Sequence, residues 1–479
     1  MADETPESGT QYSTLVGVIY VFNLIVGTGA LTMPAAFHSA GWLVSLILVI
    51  FLALTSFITV TFVAEAMSVA NAKEKYAKVK LGLNEVDGVS SPLLGARRSI
   101  QDGSNVFDIT QKIELGRMAE IFFNKVGEKL FYACIVIYLY GDLSIYAAAV
   151  PKSLRDVSCT YRLANNTDCN KTLSEDDLCW DNSNITRMNV YRMFVAIFLV
   201  CLGPFTFFNV QKTKYLQIIT TIFRWLAFGI MIVLAVMRLS NGEGKGHPAV
   251  GNLAGIPNLF GVCVYSFMCH HSLPSLITPI KDKSSLYKVL GVDYVCILIF
   301  YALLSFTGIF AFATLEDLYT LNFFNVNCET NSVTNIKFIQ YFLALFPVFT
   351  LSTNFPIISI TLRNNLQTMF SSPERQTNWT VHNILFPLLA LLPSVAIAFG
   401  TNQVEILVGI TGSYAGAGIQ YVIPALLVYY ARKDEVCTSG HDYKSHCSPF
   451  KHKIWIILVL IWSACCIGFV TVNHIITRQ

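Results

Sequence analysis

Two short stretches, Gly27-Thr28-Gly29 and Cys269-His270-His271-Ser272, put chemistry into the middle of long apolar runs. Gly27 and Gly29 lack side-chain bulk and tolerate unusual dihedrals, so a helix can open there. The amides that begin the following half-helix would then face an anion, with the helix dipole adding to the attraction; a carboxylate is the natural occupant. The competing role for such a pair is close helix packing through small residues. In the second stretch, Pro274 removes a backbone donor and disfavours helix at the residue before it. Carbonyls freed there can hold an amino group or a cation. An intramembrane histidine titrates near physiological pH, so His270 is a candidate proton carrier, and equally a neutral side chain hydrogen-bonded in a packed interface.

Two further residues are expensive in an apolar setting. Asp142 and Arg224 each lie about eight residues from the end of an apolar run, roughly 12 Å deep at the helical rise. Unpaired charges there cost several kcal/mol, so the two are expected to approach one another, directly or through water. A structural role and a role in ion coupling are both open to them. Thr350, Ser352, Thr353 and Asn354 precede Pro356. Their oxygens suit a hard cation such as sodium, or ordinary interhelical hydrogen bonds.

The elements that must position these groups are legible from composition. Of 479 residues, 54% are hydrophobic and 13% charged, against about 25% charged in soluble domains. Runs of about twenty apolar residues can cross a hydrocarbon core as helix. Spans are expected at 12–37, 42–66, 129–150, 190–208, 216–237, 256–280, 290–313, 338–362, 382–400, 404–429 and 454–475, giving an all-α polytopic membrane protein of about eleven transmembrane helices in a single domain, 1–479. The glycine and histidine stretches interrupt the first and the sixth. Breaks at matching positions of two five-helix halves point to the binding site of an inverted-repeat secondary transporter.

Loops orient the chain. Asn165, Asn170 and Asn184 each begin an Asn-x-Ser/Thr acceptor within 151–189, which is expected to be a glycosylated loop on the non-cytosolic side. The N-terminus is then cytosolic. Lys212, Lys281, Arg363, Arg432 and Lys451 fall in loops on the cytosolic side, as the positive-inside bias expects. Residues 68–112 form a polar, largely disordered cytosolic insert, open to a cytosolic partner. Cys159, Cys169, Cys179 and Cys328 lie on the oxidising side and are disulfide candidates of open connectivity. A net charge of +3 without a basic, aromatic-interleaved stripe excludes nucleic acid as a partner. There is no phosphate loop and no dinucleotide fingerprint. Leu139 stands where the intramembrane aspartyl protease motif ending in Asp142 needs its first glycine, so an enzyme is not expected and no cofactor beyond a coupling Na+ or H+.

Asn23-Leu24-Ile25-Val26-Gly27-Thr28-Gly29-Ala30-Leu31 resembles the first-helix signature of the amino acid/auxin permease family, and Phe267-Met268-Cys269-His270 resembles its sixth-helix motif. Glu114-Leu115-Gly116 through Gly127 and Pro356 to Arg363 add matches before helix three and at the end of helix eight. The resemblance implies an inverted five-plus-five (LeuT-like) repeat with discontinuous helices one and six, and amino acid transport coupled to sodium or protons. It puts Asn23 at a position linked to sodium. Asn354 stands where sodium-coupled relatives carry threonine, and in related folds a fixed cation in helix five, here Arg224, can replace the ion. Both departures point toward proton coupling or none. The readings carried forward are a secondary transporter of a small amino acid or related zwitterion working by alternating access, and a non-transporting amino acid sensor that signals through its cytosolic insert. The plasma membrane and the lysosomal or endosomal membrane both remain open.

Overall fold

A computed structural model describes residues 12–84, 106–160, 174–181, 183–208, 214–324, 333–370, 379–439 and 446–477. The first apolar run is two helices, α1 (Thr14–Ile25) and α2 (Thr28–Ala40), bent by 53° at Val26 and Gly27. Then come α3 (Trp42–Asn84), α4 (Leu115–Phe122), α5 (Lys125–Ser158), α6 (Arg187–Leu202) and α7 (Lys214–Ser240). The sixth run is likewise divided, into α8 (Ile256–Ser266) and the short α9 (Leu273–Ile277), with Phe267 to Ser272 in turns. The remainder is α10 (Leu286–Ala311), α11 (Lys337–Phe370), α12 (Val381–Gly400), α13 (Val404–Ala431), the short α14 (Glu435–Ser439) and α15 (Lys453–Thr477). Among the described residues nine helices are long and apolar enough to cross a membrane, ten with the bent α1–α2 pair. In lipid a backbone must satisfy its own hydrogen bonds, which is why the runs fold as helix throughout.

α13 is not a regular helix. It winds through π turns at Gly412–Gly416 and Gly418–Val422. A Cβ on Gly261 of α8 would lie 2.6 Å from the carbonyl carbon of Gly409, so two glycine faces let α8 and α13 cross almost backbone to backbone.

Several helices overrun the spans expected from hydropathy. α3 continues past Ala66 to Asn84, so the insert expected from residue 68 begins as helix. Hydropathy marks where a helix leaves lipid, not where its hydrogen bonding stops. Residues 106–113 return to pack on this extension: Ser68 donates to Phe107 O at 2.6 Å, and the amides of Thr110 and Gln111 donate to Asn71 Oδ1 at 3.2 and 2.8 Å. Of residues 109–125, Leu115–Phe122 form a short helix, and Lys125 opens α5. Residues 85–105 lie outside the described residues.

The same end of the molecule is locked by Arg432. Its guanidinium donates to both oxygens of Glu65 at 2.8 and 2.7 Å and to the carbonyls of Phe450 and Lys451. The Ser448 amide also donates to Glu65. Glu65 is 1% exposed. Removing one partner strands the other charge, so Arg432→Ala is expected to cost about 3–5 kcal/mol. Melting of the purified variant is the check; a loss under about 1 kcal/mol means that water reaches Glu65.

At the opposite end, the last two turns of α5 hold Lys152, which pairs with Asp317 at 2.9 Å, and Arg155, which pairs with Asp156 at 2.8 Å. Burial draws Glu316, beside Lys152, above the usual carboxylate range. Cys159 is disulfide-bonded to Cys179. Of the other disulfide and glycan candidates, Cys169, Cys328, Asn165 and Asn170 lie outside the described residues, and Asn184 is on an exposed stretch just before α6.

Candidate functional site

The two helix breaks meet. Gly29, in the first turn of α2, sits on Ser266, the last residue of α8: a Cβ at Gly29 would be 2.7 Å from the Ser266 Cα and 2.8 Å from its Cβ. Only glycine permits that approach. A break leaves carbonyls at the end of the first half-helix without intrahelical donors. Here one hydroxyl serves both breaks, because Tyr301 of α10 donates to Ile25 O at 3.0 Å and to Ser266 O at 2.9 Å. Ser56 of α3 donates to the next free carbonyl, Phe267 O, at 3.4 Å. At the start of α2, the Tyr146 phenol of α5 interacts with the Thr28 side chain. The expected anion-facing residues Gly27, Thr28 and Gly29 are therefore walled by α5, α8 and α10. Gly29 and Thr28 are buried and Gly27 is half-buried.

Asn23, one turn before the break, is fully engaged. Arg224 of α7 donates to its backbone carbonyl, and Trp225 donates from Nε1 to Asn23 Oδ1 at 2.9 Å. Phe22 stacks on the Trp225 ring with centroids 4.6 Å apart. A guanidinium thus occupies the carbonyl that a bound cation would use. Thr350 and Thr353 donate within their own helix, to Phe346 O and Thr350 O, both at 2.9 Å, and Asn354 is half-buried.

Asp142 and Arg224 do not pair. The Asp142 carboxylate instead accepts from the Tyr265 hydroxyl of α8, and no ion pair joins it to Arg224 among the described residues. Tyr146 is within electrostatic reach of both. The expected attraction fails because each charge finds a nearer neutral partner, and a phenol donating to a carboxylate keeps the charge-assisted bond without burying a second charge.

The span-six stretch is divided in its contacts. His270 is buried, with Nε2 2.8 Å from the Thr59 hydroxyl and Nδ1 without a partner. Thr59 directs its own proton to Thr55 O and Ser56 O, so His270 donates from Nε2. His271 is half-buried against Tyr138, centroids 5.6 Å apart, and within electrostatic reach of Glu114. Cys269 lies 3.4 Å from the Tyr294 hydroxyl. The Ser272 amide closes a turn onto Cys269 O at 3.1 Å.

Sequence reasoning missed the phenols. Tyr138, Asp142 and Tyr146 recur every four residues and share one face of α5, and Tyr294 and Tyr301 share one face of α10. That spacing is the signal, and it is hidden when tyrosine is counted as apolar. Away from the breaks, a groove of about 720 Å3 is lined by Ser39, Asn258, Glu405, Tyr414 and His474 among others; Asn258 donates to Glu405 across it.

A family model described as transmembrane amino acid transporter protein matches residues 10–472. The chain is 51% identical to transmembrane protein 104 of Gallus gallus, with all of both chains covered. It is 50% identical to transmembrane protein 104 of Homo sapiens, over 100% of this chain and 99% of the relative. At 34% identity it aligns with 99% of the transmembrane protein 104 homolog of Dictyostelium discoideum.

Proposed function

The chain belongs to the transmembrane amino acid transporter protein family, and from that premise we propose that it is a secondary transporter of a small amino acid or related zwitterion. Its helices make it a multi-pass integral membrane protein. We read α1–α2 and α8–α9 as the discontinuous first and sixth of eleven spans in two inverted halves, which rock about the breaks to expose them alternately to each side. The observation that carries this reading is the seam at Gly29 and Ser266, with one tyrosine hydroxyl bridging the freed carbonyls of both half-helices. The first-turn amides of α2 receive the substrate carboxylate. The substrate ammonium displaces Tyr301 from Ile25 O and Ser266 O and lies beside the stretch from Cys269 to Ser272. Arg224 on the Asn23 carbonyl supports protons over sodium as the coupling ion, with Asp142 the first carrier. The N-terminus and insert are cytosolic, and residues 151–189 face the other side, where Asn184 accepts a glycan.

Uptake of a radiolabelled amino acid panel into proteoliposomes, with an inward proton gradient or a sodium gradient, tests the proposal. At least one small neutral amino acid is expected to accumulate with the proton gradient and without sodium. No flux with any member, in protein that melts cooperatively, rejects it. The docking of residues 106–113 on α3 favours one alternative, a sensor that passes occupancy of the site to its insert. That alternative requires a thermal shift with an amino acid and no flux.

A further inference from the structure

One ionisable group in the membrane region belongs to none of the roles above. Asp293 lies seven residues into α10, about 10 Å from its first residue along the axis. It is 1% exposed, and both carboxylate oxygens are without a hydrogen-bond partner. The cost of an ionised carboxylate in such a place is far above that of a neutral acid, because the charge has neither water nor a donor to replace it.

The surroundings offer nothing to compensate a charge. Cys269, from the span-six break, and Tyr294, beside it on α10, are the titratable groups within electrostatic reach of the carboxyl. The Tyr294 hydroxyl already lies 3.0 Å from Ser56 Oγ and 3.4 Å from the Cys269 sulfur. The elements packed on α10 carry Tyr20 on α1, His38 on α2, Glu65, Lys73, Glu74, Lys75 and Tyr76 on α3, and Arg224 and Arg238 on α7, and the break carries His270 and His271. None of these hydrogen-bonds to the Asp293 carboxyl among the described residues. A sodium ion asks for a cage of oxygen ligands, and the sodium arm of the test below separates that occupant from a proton.

We propose that Asp293 is a resident proton-binding site, distinct from Asp142, held as the neutral acid in this packing beside the sixth-span break. The proton comes from hydronium when the carboxylate is wetted as α10 and the break separate: an O–H bond forms on the carboxyl, one O–H bond of hydronium breaks, and a water molecule is released. This rests on the transport reading only for its purpose, which is to carry a proton with the substrate.

Infrared difference spectra of the full chain in lipid nanodiscs, without substrate, test the site directly. The wild-type protein at neutral pH is expected to show the carbonyl stretch of a protonated, dry carboxyl group. Asp293→Asn removes that band, Asp142→Asn leaves it, and Asp293→Glu shifts its frequency, which keeps the assignment testable if the asparagine variant fails to fold. Exchanging choline for sodium at constant pH leaves the band in place. A band that is absent, that survives Asp293→Asn, or that sodium abolishes overturns the proposal. Failure of the transport reading would leave the band intact with no flux, so the two outcomes are separable.

Discussion

Gly29→Ala is expected to lower substrate flux at least tenfold, whereas Gly27→Ala, two residues away, changes it less than twofold. The difference is steric. A methyl on Gly29 would stand 2.7 Å from the Cα of Ser266, well inside van der Waals distance. Ser266 cannot withdraw, since its hydroxyl donates to Val262 O at 2.7 Å and its carbonyl accepts from Tyr301. The two half-helices must therefore separate, and overpacking of this kind costs about 1–3 kcal/mol. A tenfold change in rate needs about 1.4 kcal/mol, and on the transport reading proposed above the seam is the part that has to re-form in each cycle. At Gly27 the nearest atoms to an added Cβ are the carbonyl oxygens of Leu24 and Ile25, at 3.9 and 4.0 Å, and the backbone φ of −119° suits any residue. Initial uptake rates at equal reconstituted protein decide the matter. Adding Ser266→Gly to Gly29→Ala should restore only part of the loss, because it clears the side chain while the Ser266 backbone still crowds the new methyl. Equal activity of the two alanine variants would mean that the seam is not where the halves move.

The breaks themselves were open to sequence reasoning because glycine and proline act locally: Gly27, Gly29 and Pro274 weaken helix wherever they stand. What the residues could not tell was how the loosened ends are satisfied. Tyr301 is far from both breaks along the chain and sits in an apolar run, so only the packing of α10 reveals that its hydroxyl closes them. Pairing Asp142 with Arg224 followed from the cost of two buried charges, yet phenol and carbonyl partners were nearer, and such partners carry no charge pattern to read. Asp293 is hidden for a related reason. Hydropathy starts that apolar run at residue 290, which puts the carboxyl at a span end, whereas α10 begins at Leu286 and buries it. The hydroxyls of Thr350 and Thr353 donate to the preceding turn of α11, a partner within the helix that residue types alone do not reveal.

A double-mutant cycle on Asp142→Asn and Tyr265→Phe is expected to show a coupling of about 1.5–3 kcal/mol, the range for a hydrogen bond to a charged group. The corresponding cycle with Arg224→Gln should fall below about 0.5 kcal/mol, as independent sites show. Tyr265 is in α8 and Asp142 in α5, so their bond ties the first half of span six to the third span directly beside the seam. On the proposal that Asp142 carries the coupling proton, its loss should also uncouple transport. Asp142→Asn is expected to keep exchange of substrate across the membrane at a rate within a few-fold of the wild-type protein, while accumulation against a gradient disappears. Tyr265→Phe should retain accumulation but with a displaced pH profile, because the phenol is the donor that stabilises the ionised form and takes no proton itself. Stability for the cycles is read from melting, and accumulation from uptake driven by a pH gradient with and without an ionophore. Strong coupling between Asp142 and Arg224, with none to Tyr265, would show that the charges pair in the working protein and that the Tyr265 phenol is a bystander. In that event Arg224 would be the switch that protonation of Asp142 releases, and the Asn23 carbonyl would fall free for a cation in the same step. The two cycles therefore discriminate more than a bond: they decide whether the guanidinium is a fixed substitute for a coupling ion or a moving part.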